Sequence, residues 1–247
     1  VRSPVRRARG GPAISGGFTH PHLSHPLRKE HAIDAVFENL PVFLGGFLRT
    51  LSLLAIAGVG AFAIGVVVAA MRISPVASFR AVATVYTELV RNTPLTLLLF
   101  GCAFVLPYLG AAPVYYPLAA IGLTVYTSPF VAEAVRSGVN GVPIGQAEAA
   151  RSIGLTFGQV LGLVVLPQAI RMVIPPLINV FIALTKNTSV AGAFFVTELF
   201  GVSRTVINDR GDAVLAILLS VACFYLVVTV PLGLVAAAIE KRVAVLR

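Results

Sequence analysis

The sequence predicts an all-α fold: a polytopic membrane bundle of five transmembrane helices, with a helix–turn–helix on the cytoplasmic side. Three observations carry that expectation. Charged residues make up 12% of the 247, against about 25% in a soluble domain. Hydrophobic residues make up 57%, and the mean hydropathy is +0.91. The apolar residues also fall into uncharged runs long enough to cross a hydrocarbon core, which takes about 20 helical residues.

Residues 1–38 are polar, with six basic residues (Arg2, Arg6, Arg7, Arg9, Arg28, Lys29) against three acidic ones (Glu30, Asp34, Glu38), a balance of +3. No apolar run precedes residue 39, so this tail is not read as a secretory signal, and residues 1–30 are expected to be disordered. The sequence opens on Val1 and its only methionines are Met71 and Met172. A non-Met start codon translated literally, with a true start downstream, is one reading of that. All four histidines (His20, His22, His25, His31) lie in this tail, and an unstructured His-containing segment fits them better than a metal site.

Residues 32–48 read as an amphipathic lead-in helix at the interface, broken near Pro41. Thr50–Met71 supplies 22 uncharged residues, the first span (about 50–71). Asn92–Ala132 supplies 41, too many for one crossing. The prolines and glycine of "LPYLGAAPVYYP" (106–117) divide it into spans at about 82–107 and 116–136. Residues 137–170 are glycine-rich and polar. Span four is placed at 171–190 and span five at 213–239, where Ala213–Ile239 supplies 27 uncharged residues. The membrane domain is therefore 39–242, after a tail at 1–38. Cys102 and Cys223 sit in apolar runs without a CxxC partner and read as small core hydrophobes.

Five spans put the termini on opposite sides. Arg72, Arg80, Arg91, Arg136, Arg151, Arg171, Lys241, Arg242 and Arg247 flank one side, which the positive-inside rule assigns to the cytoplasm. The C-terminus and 137–170 are then cytoplasmic and the N-terminus lies outside. The basic tail conflicts with that topology unless it is partly artefactual or long enough to escape the rule. The net charge of +9 reads as cytoplasmic loops meeting anionic lipid, and not as a nucleic-acid surface, because the basic residues form no compact patch.

The polar segment "EAARSIGLTFGQ" (148–159) stands out. "AEAARSI" is rich in helix formers, and Glu148 and Arg151 are spaced i,i+3 for a pair. Gly154 stands where a left-handed glycine ends a helix. Thr156 and Gln159 then form a T-x-x-Q capping box, with Leu155 and Val160 at staple positions. The second helix, "FGQVLGLVVL", is expected to stop at Pro167. An ordinary interfacial loop and a docking element with a small-residue face both fit this local chemistry.

The spacing Glu148-Ala149-Ala150, three residues, Gly154, nine residues, Val164, one residue, Leu166-Pro167 resembles the EAA loop of ATP-binding-cassette importer permeases, departing only in Val164, where that pattern has Ile. "ELVRNTPLTLLLF" (88–100), "YTSPFVAEAVRSGVNGVPIGQ" (126–146) and "LTKNTSVAGAFFVTEL" (184–199) resemble the polar amino acid branch of that family. The resemblance covers about residues 40–242. It implies a type I importer fold in which a second permease subunit, identical or paralogous, pairs around a pore. A cytoplasmic ATPase dimer would grip each loop through Glu148, Ala149, Ala150, Arg151, Gly154 and Pro167. An extracytoplasmic binding protein would deliver glutamate, glutamine, a basic amino acid or cystine. The implied location is the bacterial cytoplasmic membrane. No G-x-x-x-x-G-K-[ST] phosphate loop is present. This chain is accordingly expected to bind no cofactor and to leave ATP to a partner.

Polar groups inside spans are costly and so are candidates for the path. Asn179 near Pro175 and Pro176, the run Lys186, Asn187, Thr188 and Ser189 after span four, and Glu198 are the candidates, each with a packing or exit-loop alternative. Glu88, Arg91 and Asn92 read as a charged helix end or a gate. Glu133 and Arg136 read as a solvated helix-end pair. A stand-alone carrier or channel would want inverted repeats, and none is evident. A membrane enzyme would want convergent His, Asp or Glu, and no His follows residue 31.

Overall fold

The computed structural model describes residues 28–245, with side chains described from residue 32 to residue 242. Among these residues there is no strand. α1 (Arg28–Glu38) precedes α2 (Leu40–Ile73). α3 (Ala77–Arg91) and α4 (Leu95–Tyr108) meet at 96°. α5 (Tyr115–Asn140) leads through α6 (Ile144–Ser152) into α7 (Phe157–Phe194). α8 (Leu199–Asp209) and α9 (Val214–Val245) complete the chain.

α2, α5, α7 and α9 are each long and apolar enough to cross a membrane. The direction of α2 and α5 decides what the bent pair does. Ser52, in the first half of α2, meets Tyr116 at the start of α5, and Arg72, at the end of α2, meets Glu133 in the second half of α5. They therefore run parallel, and the chain must return between them. The α3–α4 pair makes that return: Arg91 reaches Glu133, while Leu99 and Cys102 pack against Gly122, nearer the start of α5. This is the fifth crossing.

Small residues on α2 set the bundle's spacing. A Cβ on Gly60 would meet Thr124 at 2.9 Å, and one on Gly65 would meet Val131 at 2.6 Å and the Ser128 carbonyl at 2.7 Å. The core between α2, α4, α5 and α7 is Leu53, Ala57, Leu99, Leu123 and Leu184. A second cluster, with Phe43, Leu199 and Ile217, ties α8 and the start of α9 to α2. By contrast, Leu226, Val227, Leu234 and Val235 of α9 are exposed. Apolar helix surface on this scale belongs against lipid or another chain.

Several element boundaries differ from expectation. Residues 40–48 are not a separate interfacial helix. The break falls at Asn39, and Pro41 sits at the first or second position of α2, where its missing N–H costs no helical bond. The disorder expected to residue 30 concerns residues outside the described range except for 28–30, which begin α1. Span four does not begin at Arg171. A single helix runs from Phe157 to Phe194, so its 38 residues extend about 57 Å, well beyond a core of about 30 Å. Pro167 does not stop it, because residues Val160–Val165 adopt π-helical turns that absorb the lost donor. Lys186–Ser189 consequently lie inside the helix and not in a loop after it. Termination waits for Phe195, whose φ is +62°.

Candidate functional site

The turn between α6 and α7 follows from its residues. Gly154 has φ +89°, a region that suits glycine. Its N–H donates to the Arg151 carbonyl (2.9 Å), and the Leu155 N–H donates to the Ala150 carbonyl (3.3 Å). Those two bonds make a Schellman ending. Thr156 then opens α7 with a complete capping box: its N–H donates to Gln159 Oε1 (2.9 Å), and the Gln159 N–H donates to Thr156 Oγ1 (3.4 Å). Glu148, Ala149 and Arg151 are exposed, while Ala150 is buried under the helix. The expected Glu148–Arg151 pair is not formed among the described residues. The Arg151 guanidinium lies over the Phe157 ring, 5.9 Å from its centroid, and links the end of α6 to the start of α7.

A cavity of about 420 Å³ opens between α5 and α7, inside the range of about 300–1,000 Å³ typical of small-ligand sites. Tyr126, Thr127 and Phe130 line it from α5; Asn179, Ala183 and Asn187 line it from α7. The α7 residues recur every fourth position and so share one helical face. Thr127 is 3% exposed, and its Oγ1 has no hydrogen-bond partner. An orphaned buried hydroxyl is costly, and the residue that carries it lines the cavity with Asn179 and Asn187.

Next to the cavity stands a charge cluster. Glu133 receives Arg72 at 2.6 Å and Arg136 through its other oxygen, with Arg91 at 3.8 Å. Three guanidiniums against one carboxylate leave a local surplus of two positive charges. Arg91 is also held over Phe130, 5.5 Å from the ring centroid, and Phe130 is a cavity wall.

Of the predicted path residues, Asn179 and Asn187 are brought together at the cavity. Lys186 is exposed, on the same face as Asn179 and Ala183 by its spacing of seven and three. Thr188 and Ser189 turn their hydroxyls back to the Thr185 and Lys186 carbonyls, at 2.7 Å each. Glu198 is fully buried and engaged elsewhere. It caps α8 by accepting from the Phe200 and Gly201 N–H groups (3.0 and 2.7 Å), and it also accepts from Tyr225 (2.9 Å) and Thr50 (3.2 Å). Burial pushes its carboxyl above the ordinary range, and the four donors work against that shift. Sequence reasoning missed Thr127, Tyr126 and Phe130, which look like ordinary span residues. The meeting of Arg72 and Arg91 with Glu133 was likewise missed, because it joins positions 61 and 42 residues apart.

A bundle with apolar outer faces, a cavity with two amide residues in its lining between two crossing helices, and a capped helix–turn–helix at one end fits a membrane translocation subunit. Residues 39–245 match the family described as binding-protein-dependent transport system inner membrane component, and the chain belongs to that family. It is 40% identical over 210 residues to the probable glutamine ABC transporter permease protein GlnM of Bacillus subtilis (strain 168), covering 85% of this chain and 97% of that protein. It is 38% identical to the glutamate transport system permease protein GluC of Corynebacterium efficiens, covering 83% and 95% respectively. A crystal structure of an amino acid ABC transporter with histidines aligns with a TM-score of 0.77 at 28% identity, covering 84% of this chain and 96% of that one. The inward-facing MetNI methionine ABC transporter, at 20% identity and a TM-score of 0.66, shares the fold.

Proposed function

We propose that this chain is the permease subunit that passes a polar amino acid across the cytoplasmic membrane of a bacterium. It would act with a second, identical or paralogous, permease and an external amino-acid-binding protein. The relatives named for glutamine and glutamate support that substrate class. A pair of cytoplasmic ATPase chains would bind the ATP, and this chain would hold no cofactor of its own. In this reading α6 and the turn at Gly154 face the cytoplasm with the C-terminus, and α1 lies outside.

The observation that carries the reading is the α6–α7 junction. A nine-residue helix presents Glu148 and Ala149 outward, ends in a glycine turn and passes directly into the capped helix that lines the cavity. A force applied to α6 thus arrives at Asn179 and Asn187 through one continuous element. Closure of the ATPases would move α6, and α7 would reshape the cavity. No covalent step falls to this chain. Glu148→Lys should leave the bundle folded while abolishing ATPase association and uptake in the reconstituted importer. Normal uptake by that variant would sink the proposal.

A further inference from the structure

The Arg72–Arg91–Arg136 cluster holds more donors than its one carboxylate can use. Each guanidinium carries five N–H groups, and Glu133 is the partner shared by all three. Arg136 Nε is buried without a partner. Arg91 is the loosest member. It sits at 3.8 Å from Glu133, against 2.6 Å for Arg72, and is 38% exposed against 13%. The ring beneath it, Phe130, is a wall of the cavity.

The polar residues that line the cavity are all neutral: Tyr126, Thr127, Asn179 and Asn187. An amino acid inside it would carry an ionised carboxylate with no cation on the wall. Arg91 is held over the Phe130 ring of that wall, and Lys186 stands on the Asn179 face of α7. Among the described residues no carboxylate lines the cavity, and Glu88, three residues before Arg91, accepts from Asn92 (3.4 Å). Glu133 is held by guanidiniums, and none of the groups that donate to Glu198 lines the cavity. A substrate with a cationic side chain would therefore meet positive charge with nothing to balance it.

We propose that Arg91 receives the carboxylate of the amino acid in the cavity, and that the surplus positive charge around it makes the path select acidic and neutral amino acids over cationic ones. This rests on the cavity being the substrate path. Glu133 positions Arg91 but does not neutralise the cluster, so the guanidinium keeps donors free for a second anion. Its planar fork suits a carboxylate in two-point contact.

The test is equilibrium binding of radiolabelled L-glutamate, L-glutamine and L-arginine to the whole permease–ATPase complex in lipid nanodiscs, without the binding protein. Wild type should bind the first two at least about tenfold more tightly than arginine. Arg91→Lys, which keeps the charge, should hold that preference. Arg91→Gln should weaken glutamate by about ten- to a hundredfold, the scale of a lost hydrogen bond to a charged group, and should shrink the discrimination against arginine. An unchanged preference in Arg91→Gln, or wild-type binding of arginine as tight as glutamate, overturns the assignment. Failure of the cavity reading looks different. Asn187→Leu would then leave binding of all three amino acids untouched, and the role of Arg91 would fall with it.

Discussion

Gly154→Ala separates the handle from the bundle. The glycine has φ +89°, and a Cβ built on it meets nothing within 4 Å. The penalty is therefore conformational and not steric. An L-residue forced into the left-handed region costs about 1–2 kcal/mol, which corresponds to a loss of about 5–30-fold in the population holding the turn. At stake are the two bonds that close α6, from Gly154 to Arg151 and from Leu155 to Ala150. Affinity for the ATPase, measured by titration of the purified partner onto nanodisc-embedded permease, should fall by that factor. Thermal unfolding of the bundle should be unchanged, because the turn touches none of the core clusters. Gly145→Ala is the control. Gly145 also has open space around it but lies within α6 with no positive φ, so alanine there should favour the helix by about 0.5–1 kcal/mol. Wild-type ATPase affinity in Gly154→Ala, or a lowered melting point with coupling intact, would refute the reasoning.

Three further outcomes follow from single contacts. Gly138→Ala would place a Cβ 2.1 Å from Val173 Cγ2 and 3.0 Å from its backbone nitrogen, so it should lower stability by about 1–3 kcal/mol through overpacking; an unchanged melting point in detergent would contradict the close approach. Thr127→Val removes a buried hydroxyl that has no partner, so stability should hold or rise by about 1 kcal/mol while uptake falls, and a variant that transports normally would argue against the cavity. Glu198 has a folded pKa raised above its ordinary value, mainly by burial, so the folded state binds the proton more tightly than the unfolded one. Its contribution is therefore most favourable at low pH and declines as pH rises from the ordinary carboxylate range through the raised value. Glu198→Gln mimics the protonated form, and the melting point of wild type relative to this variant should climb as pH is lowered from 8 to about 5; a constant difference would refute it.

How much of this was legible in the sequence varies with the range of the interaction. The crossing helices show themselves as uncharged runs, because lipid imposes composition directly on the chain. The α6–α7 turn was also readable, since Gly154, Thr156 and Gln159 act over three or four residues. The continuation of α7 through Pro167 was not. Proline ends a helix unless a local register change supplies the missing geometry, and nothing in "VLGLVV" marks a π-turn before the fold is seen. Lys186–Ser189 read equally as path residues or as an exit loop because they are polar, yet the Thr188 and Ser189 hydroxyls bond back to the helix they stand on. Glu198 looked like a path residue for the same reason. Its partners Thr50 and Tyr225 lie 148 and 27 residues away, and only the fold brings four donors to one carboxylate.

α7 is the element that connects these observations. It starts at the capping box of Thr156, and Asn179 stands 22 residues beyond Phe157, about 33 Å along the axis. A straight helix would transmit a displacement of α6 whole. This one has two places of lower stiffness, the π-turns at Val160–Val165 and the Pro175–Pro176 pair, where backbone bonds are altered or missing. Between them, at Gly138, α5 approaches Val173 backbone to backbone. That contact lies just before the proline pair; Asn179 lies just after it, and Asn187 about two turns further on. Pinned at Val173 and driven at Phe157, the far half of α7 would turn against Tyr126, Thr127 and Phe130, the walls of the cavity on α5. The two glycines therefore do different work. In the proposed mechanism Gly154 would shape the point where force enters, and a Cβ there should uncouple a stable bundle. Gly138 lets α5 and α7 meet at the pivot, and a Cβ there should destabilise the bundle itself.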